Sequence, residues 1–223
     1  MPRTLIFGGT FNPVHVGHLR AAIEVSETLG VDRVEWTPSF APLHKSGDAL
    51  LPFALRVALL RAATRGHAGF DVNEIEKNLP APSVTIQTLE AMTWSEPDVE
   101  RHFLLGDREF LRLHTWRRGR DVVALSHLAV VCRSEVAPPA FASAVAEAWP
   151  QCRRVDPPAG ALMAFELVPG RRAVLLPVPR FDVSSSLVRR RWLEGRSLAH
   201  LVPAAAIDLL ELHRAEVKAT WMI

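Results

Sequence analysis

The chain has 223 residues, 48% of them hydrophobic, and a formal net charge of +2. That length suits one α/β domain with a buried core, and so small a charge argues against nucleic acid or an acidic membrane surface as the partner. Two cysteines, Cys132 and Cys152, exclude a disulfide scaffold and supply no paired metal-site pattern.

Leu5-Ile6-Phe7 predicts the first strand. It runs into Gly8-Gly9-Thr10-Phe11-Asn12-Pro13-Val14-His15-Val16-Gly17-His18, read as a tight glycine-containing turn and a loop. A helix follows, with Leu19, Ala22, Ile23 and Leu29 on one face. The chain thus starts directly in a strand, so no signal peptide is expected. No apolar run approaches about 18 residues either, and a cytoplasmic protein without a membrane span is expected. Val31 to Trp36 predicts a second strand, and the turn formers from Thr37 to Pro52 a loop. Phe53 to Ala63 has helical spacing through Leu55, Leu59 and Ala62, and Phe70 to Asn73 reads as a short strand.

Ser83 or Thr85 is positioned to cap a helix carrying Ile86, Leu89 and Met92. Phe103-Leu104-Leu105, ended by Gly106, is a continuous apolar run that suits a central parallel strand, and Leu128 to Val131 is another. Cys132 at its end reads as a small core residue. Between Ser134 and Gly170 the pattern is mixed, with helical spacing from Ala140 to Trp149. Val174-Leu175-Leu176 reads as the last sheet strand, ended by Pro177 and Pro179. Ser184-Ser185-Ser186 opens a serine-capped helix through Leu193. Pro203 to Glu216 predicts a final amphipathic helix with Ile207, Leu210 and Leu212. Strands separated by helices predict right-handed βαβ units, a Rossmann-like parallel sheet with helices on both faces.

Two stretches carry chemistry. His15 and His18 stand at the entry to the first helix, where free backbone N–H groups and the helix dipole attract anions. Imidazole donors there stabilise phosphate oxygens most as their charge grows during phosphoryl or nucleotidyl transfer. No protein nucleophile is then required, because a substrate phosphate can attack once positioned. The second stretch is Val183-Ser184-Ser185-Ser186 with Arg189. Hydroxyls and amides at a helix N-terminus form an anion cradle, and Arg189 can reach the same phosphates with a forked donor set. Placed after the last strand, it can face the first loop across the carboxyl end of the sheet, where open α/β sheets bind ligands.

The first stretch resembles the motif of the nucleotidylyltransferase superfamily that shares His-x-Gly-His. Val183 to Arg189 resembles that superfamily's second motif, Ile-Ser-Ser-Thr-x-x-Arg. With Phe11, Pro13 and Val14 included, the first motif is most similar to the bacterial nicotinate-nucleotide adenylyltransferases. Further matches run along the chain. Thr37 to Lys45 resembles the family's loop ending in Pro-Pro-His-Lys, and Pro82 to Thr85 its Pro-Ser-Tyr-Thr segment. Thr115-Trp116 resembles its Thr-Trp pair, and Leu128 to Arg133 its His-Leu-x-Val-x-Arg strand.

The resemblance implies one nucleotidylyltransferase domain over residues 1–223, its C-terminal helical part from about residue 184. It implies adenylyl transfer from ATP to nicotinate mononucleotide, giving nicotinate adenine dinucleotide and pyrophosphate in NAD biosynthesis, with magnesium neutralising the triphosphate. On this reading His15, His18 and Arg189 are catalytic. Gly8, Gly9, Thr10, Phe11, Gly106, Asp107, Arg133, Val183, Ser184 and Ser185 bind ATP. Trp116 stacks on the pyridine ring, Thr85 binds its carboxylate, and Ser39, His44 and Lys45 lie on the mononucleotide side. No protein metal site, nucleic acid or membrane is implied, and a homo-oligomer is left open.

The chain departs from the family pattern at four places. Gly106-Asp107-Arg108-Glu109 stands where the family has Gly-x-Asp, so the acid comes one position early. The Ser39-Phe40 loop lacks an amide side chain, Leu43 replaces a proline, and Val84 replaces a tyrosine. The rival readings are the same transfer to another acceptor, such as nicotinamide mononucleotide or phosphopantetheine, and a non-catalytic nucleotide-binding protein.

Overall fold

The computed structural model describes residues 1–42, 49–82, 84–132 and 137–222. The first half alternates strand and helix as the sequence predicts. β1 (Arg3–Gly9) leads to α1 (Val16–Leu29), β2 (Arg33–Pro38) to α2 (Phe53–Thr64), and β3 (Phe70–Val72) to α3 (Thr85–Ser95). β4 (Glu100–Gly106) runs directly into α4 (Asp107–Leu111), and α5 (Val122–Leu125) precedes β5 (His127–Cys132). α6 (Ala137–Ala148), β6 (Arg153–Val155), β7 (Met163–Val168) and β8 (Arg171–Pro177) follow. The chain closes with α7 (Ser185–Leu193), α8 (Ala204–Leu212) and α9 (Arg214–Trp221).

Among the described residues the strands form one sheet in the order β3-β2-β1-β4-β5-β8-β7-β6. Pairing is parallel from β3 through β8. Each inner strand carries a continuous apolar run because both of its faces are buried there. Leu5, Phe7, Leu104, Ala129, Val131, Val174 and Leu176 pack into one core layer with α1, α2 and the C-terminal helices. Their chain neighbours Ile6, Phe103, Leu105, Leu128, Val130, Ala173 and Leu175 face the opposite layer, with α3, α5 and α6. No helix of the described residues is long and apolar enough to cross a membrane.

Four expectations need correction. The sheet is not wholly parallel, because β7 pairs antiparallel with β8 and with β6. Only Pro169 and Gly170 connect β7 to β8, and so short a connection permits antiparallel pairing alone. On α1 the buried face carries Leu19, Ala22 and Val25, while Ile23 is only partly buried. The final helix is interrupted at His213 and runs on to Trp221. Leu212 is 76% exposed, since it stands about 200° around the helix from the buried Leu210. The N-cap of α3 is Val84 rather than Thr85, and the Gln87 side chain accepts the Val84 N–H at 3.3 Å. Ser83 itself lies outside the described residues.

At the amino ends of β4 and β5, far along the sheet from the first motif, His102 and His127 stack with ring centroids 4.8 Å apart. His102 Nε2 lies 3.0 Å from Glu100 Oε1. His127 Nδ1 accepts the N–H of Arg172 at 3.1 Å, so protonating that nitrogen breaks a bond that fixes the start of β8. Burial pushes His127 down to about 4, and the nearby His102, Arg171 and Arg172 act in the same direction against Glu100. Burial lowers His102 as well.

Unfolding below pH 6.5 therefore takes up a proton at His127, and the stability present above that pH is lost as pH falls toward 4. Between pH 7 and pH 5 this site should cost about 2 kcal/mol, measured as a drop in urea-unfolding free energy. In His127→Asn, whose Oδ1 still accepts the Arg172 N–H, most of that drop should vanish. An equal drop in the variant would refute the assignment.

Candidate active site

Gly8 and Gly9 of the first motif remain in β1, and the chain turns later, at Phe11 (φ 47°) and a cis Asn12–Pro13 bond. The expected tight glycine turn is thus displaced by two residues. Gly9 serves close approach instead, since a Cβ there would lie 3.0 Å from the Phe11 ring. That ring packs against Phe7, Trp36 and His18, with centroids 5.2–5.5 Å away. Phe11 is therefore a core side chain, and only its backbone remains for a ligand.

The turn is held from beneath by residues that spacing did not single out. Asn12 Nδ2 donates to the Ala49 carbonyl at 2.6 Å, and its Oδ1 accepts the Leu51 N–H at 3.1 Å. Arg56, 1% exposed on α2, donates to the carbonyls of Thr10 (2.8 Å) and Leu51 (3.0 Å). Burial draws its guanidinium down to about 10, opposed by the charge of Glu76. Only its place inside the apolar run around Leu55 and Leu59 marks it in the sequence.

His15 is the N-cap of α1, and its N–H donates to His18 Nδ1 at 3.2 Å. A neutral His18 consequently carries its proton on Nε2. The two rings stack with centroids 3.6 Å apart. His15 is only 3% exposed, whereas His18 lines the cleft described below. The pair is brought together, with His18 in front and His15 behind.

Ser184 caps α7 as expected, its Oγ accepting the Leu187 N–H at 3.1 Å. The rest of the second motif locks onto the first. Ser185 Oγ donates to the Pro13 carbonyl at 2.8 Å. Arg189 donates to the Asn12 carbonyl at 2.8 Å and to Ser186 Oγ at 3.2 Å. Burial lowers the Arg189 pKa from its ordinary value. Val183 packs so closely on α1 that a Cβ on Gly17 would lie 2.9 Å from its Cγ1. This contact explains why the position between the histidines is glycine.

A cleft of about 910 Å³ opens at the carboxyl ends of β1 and β4. From the expected set, Gly8, His18, Gly106, Asp107, Trp116, Val183 and Ser184 line it. So do Arg108 and Glu109 of the departing Gly106–Glu109 run, and Arg180, Phe181 and Asp182, which the sequence reading left without a role. Asp107 begins α4 and its Oδ1 accepts the Arg108 N–H at 2.8 Å. Trp116 stands edge-on to Phe103, with centroids 6.4 Å apart. Ser39 extends the β1–β2 ladder by donating its N–H to the Gly9 carbonyl at 2.9 Å. Thr85 is the first residue of α3. Neither of these two, nor Gly9, Thr10, His15, Ser185 or Arg189, is among the cleft-lining residues. His44, Lys45 and Arg133, with the departure at Leu43, lie outside the described residues. Among the described residues no group of three or more His, Cys, Asp or Glu is arranged to hold a metal ion.

Residues 6–191 match the cytidylyltransferase-like family. The chain is 34% identical over 202 residues to a protein of Desulfatibacillum aliphaticivorans named "Probable nicotinate-nucleotide adenylyltransferase", covering 89% of this chain and 92% of that one. It is 36% identical over 200 residues to a Pelobacter propionicus protein of the same name, covering 89% and 90%. Its fold is similar to that of the Plasmodium falciparum nicotinic acid mononucleotide adenylyltransferase complexed with NaAD, with a TM-score of 0.71 at 14% identity over 97% of this chain and 98% of that one. Matched along most of its length and carrying its two motifs bonded together beside one cleft, the chain belongs to the cytidylyltransferase-like family and, within it, to the nicotinate-nucleotide adenylyltransferases.

Proposed function

We propose that this chain transfers the adenylyl group of ATP to nicotinate mononucleotide, forming nicotinate adenine dinucleotide and pyrophosphate. The observation that carries the reading is the direct bonding of the second motif to the first, Ser185 to Pro13 and Arg189 to Asn12, beside a cleft lined by His18 and Ser184. One triphosphate can then meet both motifs.

A phosphate oxygen of the mononucleotide attacks the α-phosphorus, and the bond from that phosphorus to the oxygen bridging to the β-phosphate breaks. Pyrophosphate leaves with that oxygen. His18 donates from Nε2 to the phosphate oxygens whose charge grows in the transition state, and the buried His15 holds it by stacking. Ser184, Ser185 and the amides opening α7 receive the β and γ phosphates. Arg189 retains further N–H donors beyond the two bonds it makes to protein. Gly8, Gly9, Gly106 and Asp107 border the nucleotide, with Thr10 and Phe11 contributing backbone and Arg133 completing that side. Trp116 stacks on the pyridine ring, Thr85 meets its carboxylate, and Ser39, His44 and Lys45 form the acceptor side.

Magnesium fits this site as an ion carried by the nucleotide. It prefers one or two carboxylates, water and substrate phosphates to an all-protein cage, and the cleft lining offers Asp107, Glu109 and Asp182. When bound, it neutralises charge on the triphosphate.

Pyrophosphate should be released only when ATP, magnesium and nicotinate mononucleotide are all present. Faster release with nicotinamide mononucleotide would overturn the acceptor assignment. Changing His18 to Ala should lower kcat roughly a hundredfold, as loss of one transition-state donor does, with little change in mononucleotide KM. Near-normal turnover would dismiss the donor role. Trp116→Ala should raise mononucleotide KM about tenfold or more through lost ring stacking, and an unchanged KM would make Trp116 a purely structural residue.

A further inference from the structure

The two segments that carry the proposed acceptor contacts rest on two buried charges that the reaction scheme does not use. Glu76 is 7% exposed. Its Oε2 accepts the backbone N–H of Phe40 at 3.0 Å, and its Oε1 accepts the Thr88 hydroxyl at 3.1 Å. Phe40 follows Ser39 at the end of β2, and Thr88 lies one helical turn beyond Thr85 on α3. One carboxylate therefore ties together the two elements that carry the proposed acceptor contacts.

Arg56 extends the tie to the phosphate-binding turn. The charge of Glu76 favours its ionised form against burial, and it donates to the Thr10 carbonyl at 2.8 Å. Its guanidinium lies 5.5 Å from the centroid of Phe53, the ring on which Phe40 packs edge-on at 5.1 Å. Apolar side chains of equal volume would also fill this space. They would not fix the two walls at one separation, whereas two directional, charge-assisted bonds from a single group do.

We infer that Glu76 is a positioning residue for the acceptor mononucleotide. It sets the separation between the Ser39–Phe40 segment and Thr85, and Arg56 registers that separation against the first motif. The inference rests on the acceptor reading proposed above.

Steady-state kinetics on Glu76→Gln and Thr88→Val test it, with each substrate varied while the other saturates. Glu76→Gln should raise the KM for nicotinate mononucleotide roughly tenfold, the effect of losing one charge-assisted hydrogen bond. The KM for ATP should stay within about twofold. Thr88→Val, which removes only the α3 arm, should raise the mononucleotide KM by a smaller factor in the same direction. An unchanged mononucleotide KM in folded variants, or equal rises for both substrates, would overturn the inference. If Glu76→Gln does not fold, Thr88→Val decides by the same criteria. A wild-type enzyme inactive on nicotinate mononucleotide would instead sink the acceptor reading, and the same KM split is then read with whichever phosphate acceptor supports turnover.

Discussion

The site depends on a contact between segments 172 residues apart in sequence, the hydrogen bond from Ser185 to the Pro13 carbonyl. In the sheet, β8 is separated from β1 by β4 and β5. The chain leaving β8 must therefore pass over the carboxyl ends of those two strands before α7 can meet the first motif. The cleft is the space left beneath this crossing, which is why Arg180 to Ser184 line it together with Leu105, Gly106 and Val131. Arg189 strengthens the closure, since a bond from a charged donor contributes about 1.5–3 kcal/mol against about 1 for a neutral one. Gly17 makes it sterically possible.

The same closure orders the histidines. His15 caps α1 through backbone contacts, and its ring is covered by His18. The backbone bond to His18 Nδ1 fixes the tautomer of the ring that lines the cleft.

Much of the fold was legible because burial on both faces leaves a plain mark. Phe103-Leu104-Leu105 and Leu128 to Val131 could be placed in the centre of a parallel sheet for that reason. β6 and β7 carry no such mark, since they are short and lie toward an edge, and their polar residues interrupt the pattern. Leu212 misled because it continues an apolar composition without continuing the 3.6-residue period. At the site, the motif residues were legible as a set, but their layering was not. Phe11, His15 and Arg189 belong to the motifs, yet the structure uses the Phe11 ring as core, His15 as backing and Arg189 as a tie to Asn12. Arg56 and Glu76 went unread because spacing alone does not distinguish a buried charge from a solvated one.

The departure at Gly106-Asp107-Arg108-Glu109 is smaller in space than in sequence. These residues turn from β4 directly into α4, and Asp107, Arg108 and Glu109 all line the cleft. Moving the acid by one position therefore leaves a carboxylate at the cleft, with Glu109 and Asp182 nearby on the same lining. What the exchange adds is a cation, Arg108, in a cleft that also contains Arg180. For a reaction whose two substrates both bring phosphate, a second rim cation is compatible with the chemistry, whereas loss of every carboxylate would not have been. The substitution therefore alters the electrostatics of the cleft while leaving carboxylates in its lining.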